Sequence, residues 1–245
     1  MFNHSTTQIG ELTCHLIDQL PEGQSPKQVV ILCHGFGAPG HDLVPLGPEL
    51  LQLQPNLQET TRFIFPQAPL SLDSIGYIGG RAWWMLDVAA FNQAIATGQF
   101  RDQTKQLPDD LPKVSQMITN VVNHVVAEHN LTMQQIVLGG FSQGAMATTD
   151  VALKLPESPA ALCVMSGTLL CEDNWRELAQ KRDNLKVLQS HGRRDPILPF
   201  QAAEWLRDML QENGAEVEFI AFDGVHTIPP ELLNRFGEML SELST

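Results

Sequence analysis

The sequence predicts an α/β fold, a mostly parallel central sheet with helices on both faces. Six short aliphatic runs, at 29–33, 62–65, 135–138, 161–165, 186–189 and 217–220, each close on turn residues. Continuous apolar runs of this kind belong to strands buried on both faces. Helical stretches at about 111–129, 143–155, 200–213 and 230–243 alternate with them. The last two carry apolar residues at helical spacing: Ala203, Leu206, Met209 and Leu210, then Leu232, Leu233, Phe236 and Leu240. Strands alternating with helices pair in parallel through crossovers, and crossover geometry puts a site at the carboxyl ends of the strands. A length of 245 residues with 43% hydrophobic residues suits one domain, residues 1–245, with a sizeable core.

Taken in order, the N-terminus has neither a basic stretch nor an apolar one, and no later run approaches the roughly 20 apolar residues that span a bilayer. A cytoplasmic protein with no stable membrane insertion is expected. The first strand run opens onto His34-Gly35-Phe36-Gly37-Ala38. Gly35, Gly37 and Gly40 match a dinucleotide fingerprint, but Pro39 interrupts it, Pro45 and Pro48 follow where a phosphate-binding helix should run, and no acid for a ribose follows the next strand. Residues 71–112 break the rhythm as a long, cap-like connection holding Trp83 and Trp84; connections this long are usually functional or mobile. Within it, residues 88–95 read as a short amphipathic helix, either a lid or a fixed surface element.

The strand at 135–138 runs into Gly139-Gly140-Phe141-Ser142-Gln143-Gly144, followed by small residues. Gly140-x-Ser142-x-Gly144 fits the nucleophile elbow, a strained strand-to-helix turn that lifts a serine hydroxyl above the sheet. The glycines leave room for neighbouring backbone, and the new helix aims its N–H groups at a developing oxyanion. An elbow predicts its partners in the order serine, acid, histidine. Only His191 and His226 follow Ser142, and no well-placed acid lies between Ser142 and His191. His226, just past the last strand, then pairs with Asp195, on the loop leaving the strand at 186–189. Asp223 is three residues from His226 and reads as a turn residue, while His191 reads as a histidine that stabilises the turn before the acid. Ser142 would attack an acyl carbonyl, His226 move the proton, and Asp195 orient the imidazole. The backbone N–H groups of Gln143 and Phe36 would form the oxyanion hole.

Charge narrows the rest. With 15 Lys and Arg against 28 Asp and Glu the net charge is −13, which repels phosphate backbones, so no nucleic-acid partner is expected. Cys14, Cys33, Cys163 and Cys171 show no metal-like spacing and read as reduced structural thiols. His124 and His129, five apart, are badly spaced for joint metal ligation. Ser166 ends a strand without an elbow and reads as a local hydrogen-bonding residue. Leu70, Trp83, Trp84, Met85 and Phe91, with Phe36, could line an apolar substrate groove, although the tryptophans could equally pack the long connection onto the domain.

Six ordered blocks together resemble the phospholipase/carboxylesterase family of the α/β-hydrolase fold, which includes acyl-protein thioesterases. They are Leu32-Cys33-His34-Gly35-Phe36-Gly37, Phe65-Pro66-Gln67-Ala68-Pro69, Trp83-Trp84-Met85-Leu86-Asp87, Gly140-Phe141-Ser142-Gln143-Gly144, His191-Gly192-x-x-Asp195-Pro196 and His226-Thr227-Ile228-Pro229. The resemblance implies Ser142, Asp195 and His226 as a triad, Phe36 and Gln143 as oxyanion donors, and an ester or acyl compound as the small-molecule substrate. It further implies no metal or organic cofactor, and it allows a homodimer. Phe36, the Trp83-Trp84 pair and the long stretch at 88–112 depart from the family pattern around the expected acyl groove. Amide or lactone hydrolysis by the same triad, and a non-catalytic binding module on the same fold, remain the alternatives.

Overall fold

The alternation of the central strands decides the layers. The computed structural model describes residues 2–87, 89, 93, 97, 104–182 and 184–244. In chain order its elements are β1 (Asn3–Ile9), β2 (Leu12–Asp18), β3 (Gln28–Cys33), α1 (Leu46–Leu53), β4 (Thr61–Pro66), β5 (Leu70–Ser71), β6 (Arg81–Ala82) and α2 (Leu111–His129). They continue with β7 (Ile136–Phe141), α3 (Gln143–Lys154), β8 (Ala161–Met165), α4 (Glu172–Ala179), β9 (Lys186–Gly192), α5 (Phe200–Glu212), β10 (Glu216–Phe222) and α6 (Pro230–Leu243).

Among the described residues, eight strands form one sheet in the order β1-β2-β4-β3-β7-β8-β9-β10. Pairing is parallel from β4 through β10 and antiparallel for β1–β2 and β2–β4. Because strand side chains alternate, Val29, Ile31, Ile136, Leu138, Leu162 and Val164 pack on one side, against α2, α3, α4 and α5. Val30, Leu32, Val137, Cys163 and Leu188 pack on the other, against α1 and α6. The sheet is thus covered on both faces, as the aliphatic runs require.

The structure adds elements that lack an apolar signature. β1 is polar and exposed along nearly its whole length, and it is held by its ladder with β2. α4 buries only Trp175 and Ala179. α1 forms despite Pro48, which falls in its first turn, where a missing N–H breaks no helical bond. The edge strand β10 is half-buried and so departs from the expected burial on both faces. Residues 70–82 form a small hairpin, Leu70–Ser71 against Arg81–Ala82. Apart from residues 89 and 93, the short helix expected at 88–95, Phe91 included, lies outside the described residues. No helix among the described residues is long and apolar enough to cross a membrane.

Candidate active site

Ser142 sits between the last residue of β7 and the first of α3, with φ 55° and ψ −119°. A non-glycine residue rarely takes positive φ, and such strain persists only where the surroundings hold it. Here the Ser142 N–H donates to the Met165 carbonyl at 2.8 Å, and the Ser142 carbonyl accepts from Met146 at 3.2 Å. The flanking glycines are sterically required. A Cβ on Gly140 would stand 2.6 Å from the Cys33 carbonyl oxygen, and one on Gly144 would collide with that same carbonyl.

Asp195 lies in the turn after β9 and His226 in the loop after β10. The His226 Nδ1 is 2.6 Å from Asp195 Oδ2. A carboxylate accepts only, so Nδ1 donates and the His226 Nε2 lone pair is left for a proton. Asp195 Oδ1 accepts from the N–H groups of Ile197 at 2.8 Å and Leu198 at 2.9 Å. Burial pushes the Asp195 carboxyl up, but the His226 hydrogen bond and charge with the two backbone donors outweigh it and hold the group below the usual carboxylate range. Two features seat the histidine loop. The Ser166 hydroxyl, on a residue with φ 52°, donates to the Thr227 carbonyl at 3.2 Å. Gly192 lets that loop pass close, since a Cβ there would stand 2.6 Å from the Gly224 oxygen. The Phe141 ring packs on the His226 imidazole with centroids 4.7 Å apart.

Ser142, His226, Phe36 and Gln143 open onto one cavity of about 510 Å³. Trp84 and Met85 line it as well, while Leu70 and Trp83, expected at the groove, do not. Leu70 pairs with Ala82 in the hairpin. Trp83 is fully buried, its indole N–H donating to the His34 carbonyl at 2.8 Å. The His34 ring in turn accepts the Ala68 N–H at Nε2, 3.1 Å away, and donates from Nδ1 to the Gly35 carbonyl at 2.8 Å. This web fixes the loop that carries Phe36.

Sequence reasoning assigned Gln143 a backbone role and missed its side chain. Its Oε1 accepts the Trp83 N–H at 2.9 Å and its Nε2 donates to the Trp84 carbonyl at 2.8 Å, clamping the aromatic pair to the elbow. It also missed Met146, Leu169, Leu198 and Trp205 on the cavity wall. Trp205 had a signal, since it stands off the apolar stripe of its own helix. Of the remaining titratable groups, burial raises the Cys14 thiol to about 12 and the Cys171 thiol to about 11. No group of three His, Cys, Asp or Glu among the described residues is placed to hold a metal ion.

Comparison with known proteins gives the geometry its context. The phospholipase/carboxylesterase family model matches residues 20–244. An acyl-protein thioesterase 1 from Kluyveromyces lactis is 30% identical over 183 residues, covering 74% of this chain and 75% of that one. The protein of the same description from Eremothecium gossypii is 28% identical and covers 86% of both chains. Among solved structures, esterase PE8 superposes with a TM-score of 0.76 over 99% of each chain at 23% identity. A carboxylesterase from Mesorhizobium loti gives 0.71 at 15% identity, covering 98% of this chain and 99% of that one. At these identities the two structures speak for the fold alone.

Proposed function

The chain belongs to the phospholipase/carboxylesterase family of hydrolases, and from that premise we propose that it cleaves carboxylic esters by a Ser142–His226–Asp195 triad through an acyl-enzyme. The observation that carries this reading is the 2.6 Å bond from His226 Nδ1 to a buried Asp195, with His226 lining the same cavity as a serine held at positive φ. That bond sets the imidazole tautomer in which Nε2 is the base.

Ser142 Oγ attacks the acyl carbon as its proton passes to His226 Nε2. The carbonyl oxygen becomes an oxyanion, accepting from the backbone N–H groups of Gln143 and Phe36. Gln143 opens α3, where N–H groups lack helical partners and the helix dipole favours negative charge. Collapse expels the alcohol or thiol, which takes the proton from His226. Water then attacks the acyl-serine with the same proton relay in reverse, releasing the acid. Asp195 stays ionised throughout, as its depressed pKa requires. The largely apolar cavity, with Trp84, Met85, Met146 and Leu169 on its wall, suits the acyl chain.

The test is a p-nitrophenyl ester series from acetate to palmitate on wild type and Ser142→Ala, with fluorophosphonate labelling in parallel. Labelling at Ser142 is expected in wild type only, and Ser142→Ala should lose several orders of magnitude in kcat. Asp195→Asn should lose about 10⁴-fold, because the amide no longer enforces the productive tautomer. Full turnover in Ser142→Ala would refute the assignment.

A further inference from the structure

One histidine beside the site takes no part in the steps above. His191, on β9, is fully buried on the side of the sheet facing α5. A buried imidazole costs desolvation that an aliphatic residue of like volume would not, so its contacts need an account. Its Nε2 lies 3.0 Å from the Leu198 carbonyl oxygen and 3.3 Å from Asp195 Oδ2. Both are acceptors, so Nε2 carries the hydrogen. Burial pushes the His191 pKa below its ordinary value, against the opposing pull of the Leu198 carbonyl and the Asp195 charge. The ring is therefore neutral and protonated at Nε2 at neutral pH.

Two consequences converge on Asp195. The carbonyl that His191 holds belongs to Leu198, whose N–H, with that of Ile197, grips Asp195 Oδ1. Fixing this turn fixes the donors. The same N–H also sets its positive end beside Oδ2, the oxygen that accepts from His226. We infer that His191 is a positioning residue for Asp195, closing the turn that grips one carboxylate oxygen and sharing the charge of the other with His226. This rests on the triad reading.

Among the described residues, the charged and titratable groups around the ring are few. Asp195 faces it from its own loop and His226 from the loop after β10. Toward α5 the Phe200 ring lies 6.1 Å away, with the Arg193 guanidinium 5.1 Å over that phenyl. The Gly167 backbone approaches from the segment after β8. Removing the His191 N–H should leave the Oδ2 charge wholly to His226. That stabilises the imidazolium and moves its titration to higher pH.

The experiment compares the full chain with His191→Leu, which fills the space without a donor, and His191→Gln, whose amide keeps one. In His191→Leu, kcat should fall about tenfold with KM nearly unchanged, as for lost support of a catalytic group. The acid limb of its kcat/KM profile should move up by about half to one pH unit. His191→Gln should recover both. A readout that needs no turnover is NMR titration of the His226 ring in a Ser142→Ala background, where the same upward move should occur with Leu and not with Gln. In the wild type, the His191 ring should show hydrogen on Nε2 and titrate below the ordinary histidine value. An Nδ1-protonated ring, an unmoved His226 titration in a folded Leu variant, or Gln behaving as Leu would overturn the inference. Should the titration move while no ester is hydrolysed, the positioning role stands and the hydrolase reading falls.

Discussion

Ser142 holds a conformation that costs about 1–3 kcal/mol on its own, and the residues around it show what absorbs that cost. Two backbone hydrogen bonds tie it to β8 and α3, and the glycines on either side admit the Cys33 carbonyl. Gly144→Ala therefore puts a methyl against backbone, which cannot swing aside as a flexible side chain can. Its expected outcome is a lower melting temperature, from roughly 1–3 kcal/mol of overpacking, together with loss of fluorophosphonate labelling. A melting curve and a labelling gel on one preparation check both, and normal labelling at normal stability would remove the steric argument. The triad candidates, the elbow glycines and the turn at Asp195 were legible from residue type and order. The Gln143 side chain was not, because its partners are the backbone of Trp83 and Trp84, about 60 positions earlier in the chain.

At the level of elements, α5 carries two separate jobs. Its stripe of Ala203, Leu206, Met209 and Leu210 packs into the core, as the helical spacing predicts. Trp205 leaves that stripe, about two-fifths exposed, and stands with Thr104 and Leu169 between the cavity at Ser142 and a second one of about 280 Å³. That second cavity is polar, bordered by Glu172, Arg176, Asp208 and Glu212. Leu169 donates its N–H to the Ala202 carbonyl, which joins this wall to α5. Trp205→Ala opens the apolar cavity at this end. The ratio of kcat/KM for palmitate over butyrate should rise, by about tenfold if the freed space is filled as well as a pocket fills a missing methylene. Unchanged chain-length preference in the folded variant would assign Trp205 to packing alone. Elsewhere the sequence under-reported elements whose stability is not apolar: β1 shows no alternation because its outer side faces water and backbone bonds to β2 hold it.

Across the whole molecule, burial of titratable groups gives stability a definite pH window. His15, His34, His129 and His191 are each held below the ordinary histidine value of 6.5, mainly by desolvation. As pH falls below that value the unfolded chain takes up protons that the folded chain does not, so stability falls. Asp195, depressed in the fold, extends the loss to lower pH. The sign reverses on the alkaline side. Burial lifts all four thiols above their ordinary 9.0, so above that pH only the unfolded chain releases their protons, and stability falls again. Thermal melts from pH 4.5 to 10 should show a plateau between about 6.5 and 9 with declines on both sides. A melting temperature at pH 5 equal to that at pH 7.5 would contradict this.

By itself the sequence determined the layered α/β class and the order of the central elements, and it singled out the candidate serine, acid and histidine. Each of these is written in local periodicity or in short strand-to-loop motifs that sterics make specific. Tertiary structure alone decided that Trp83 is core while Trp84 and Met85 face the cavity, that Gln143 clamps the aromatic pair, and that His191 abuts Asp195. Those facts depend on which distant backbone groups a fold brings within about 3 Å, the reach of a hydrogen bond, and spacing along one chain does not carry that information.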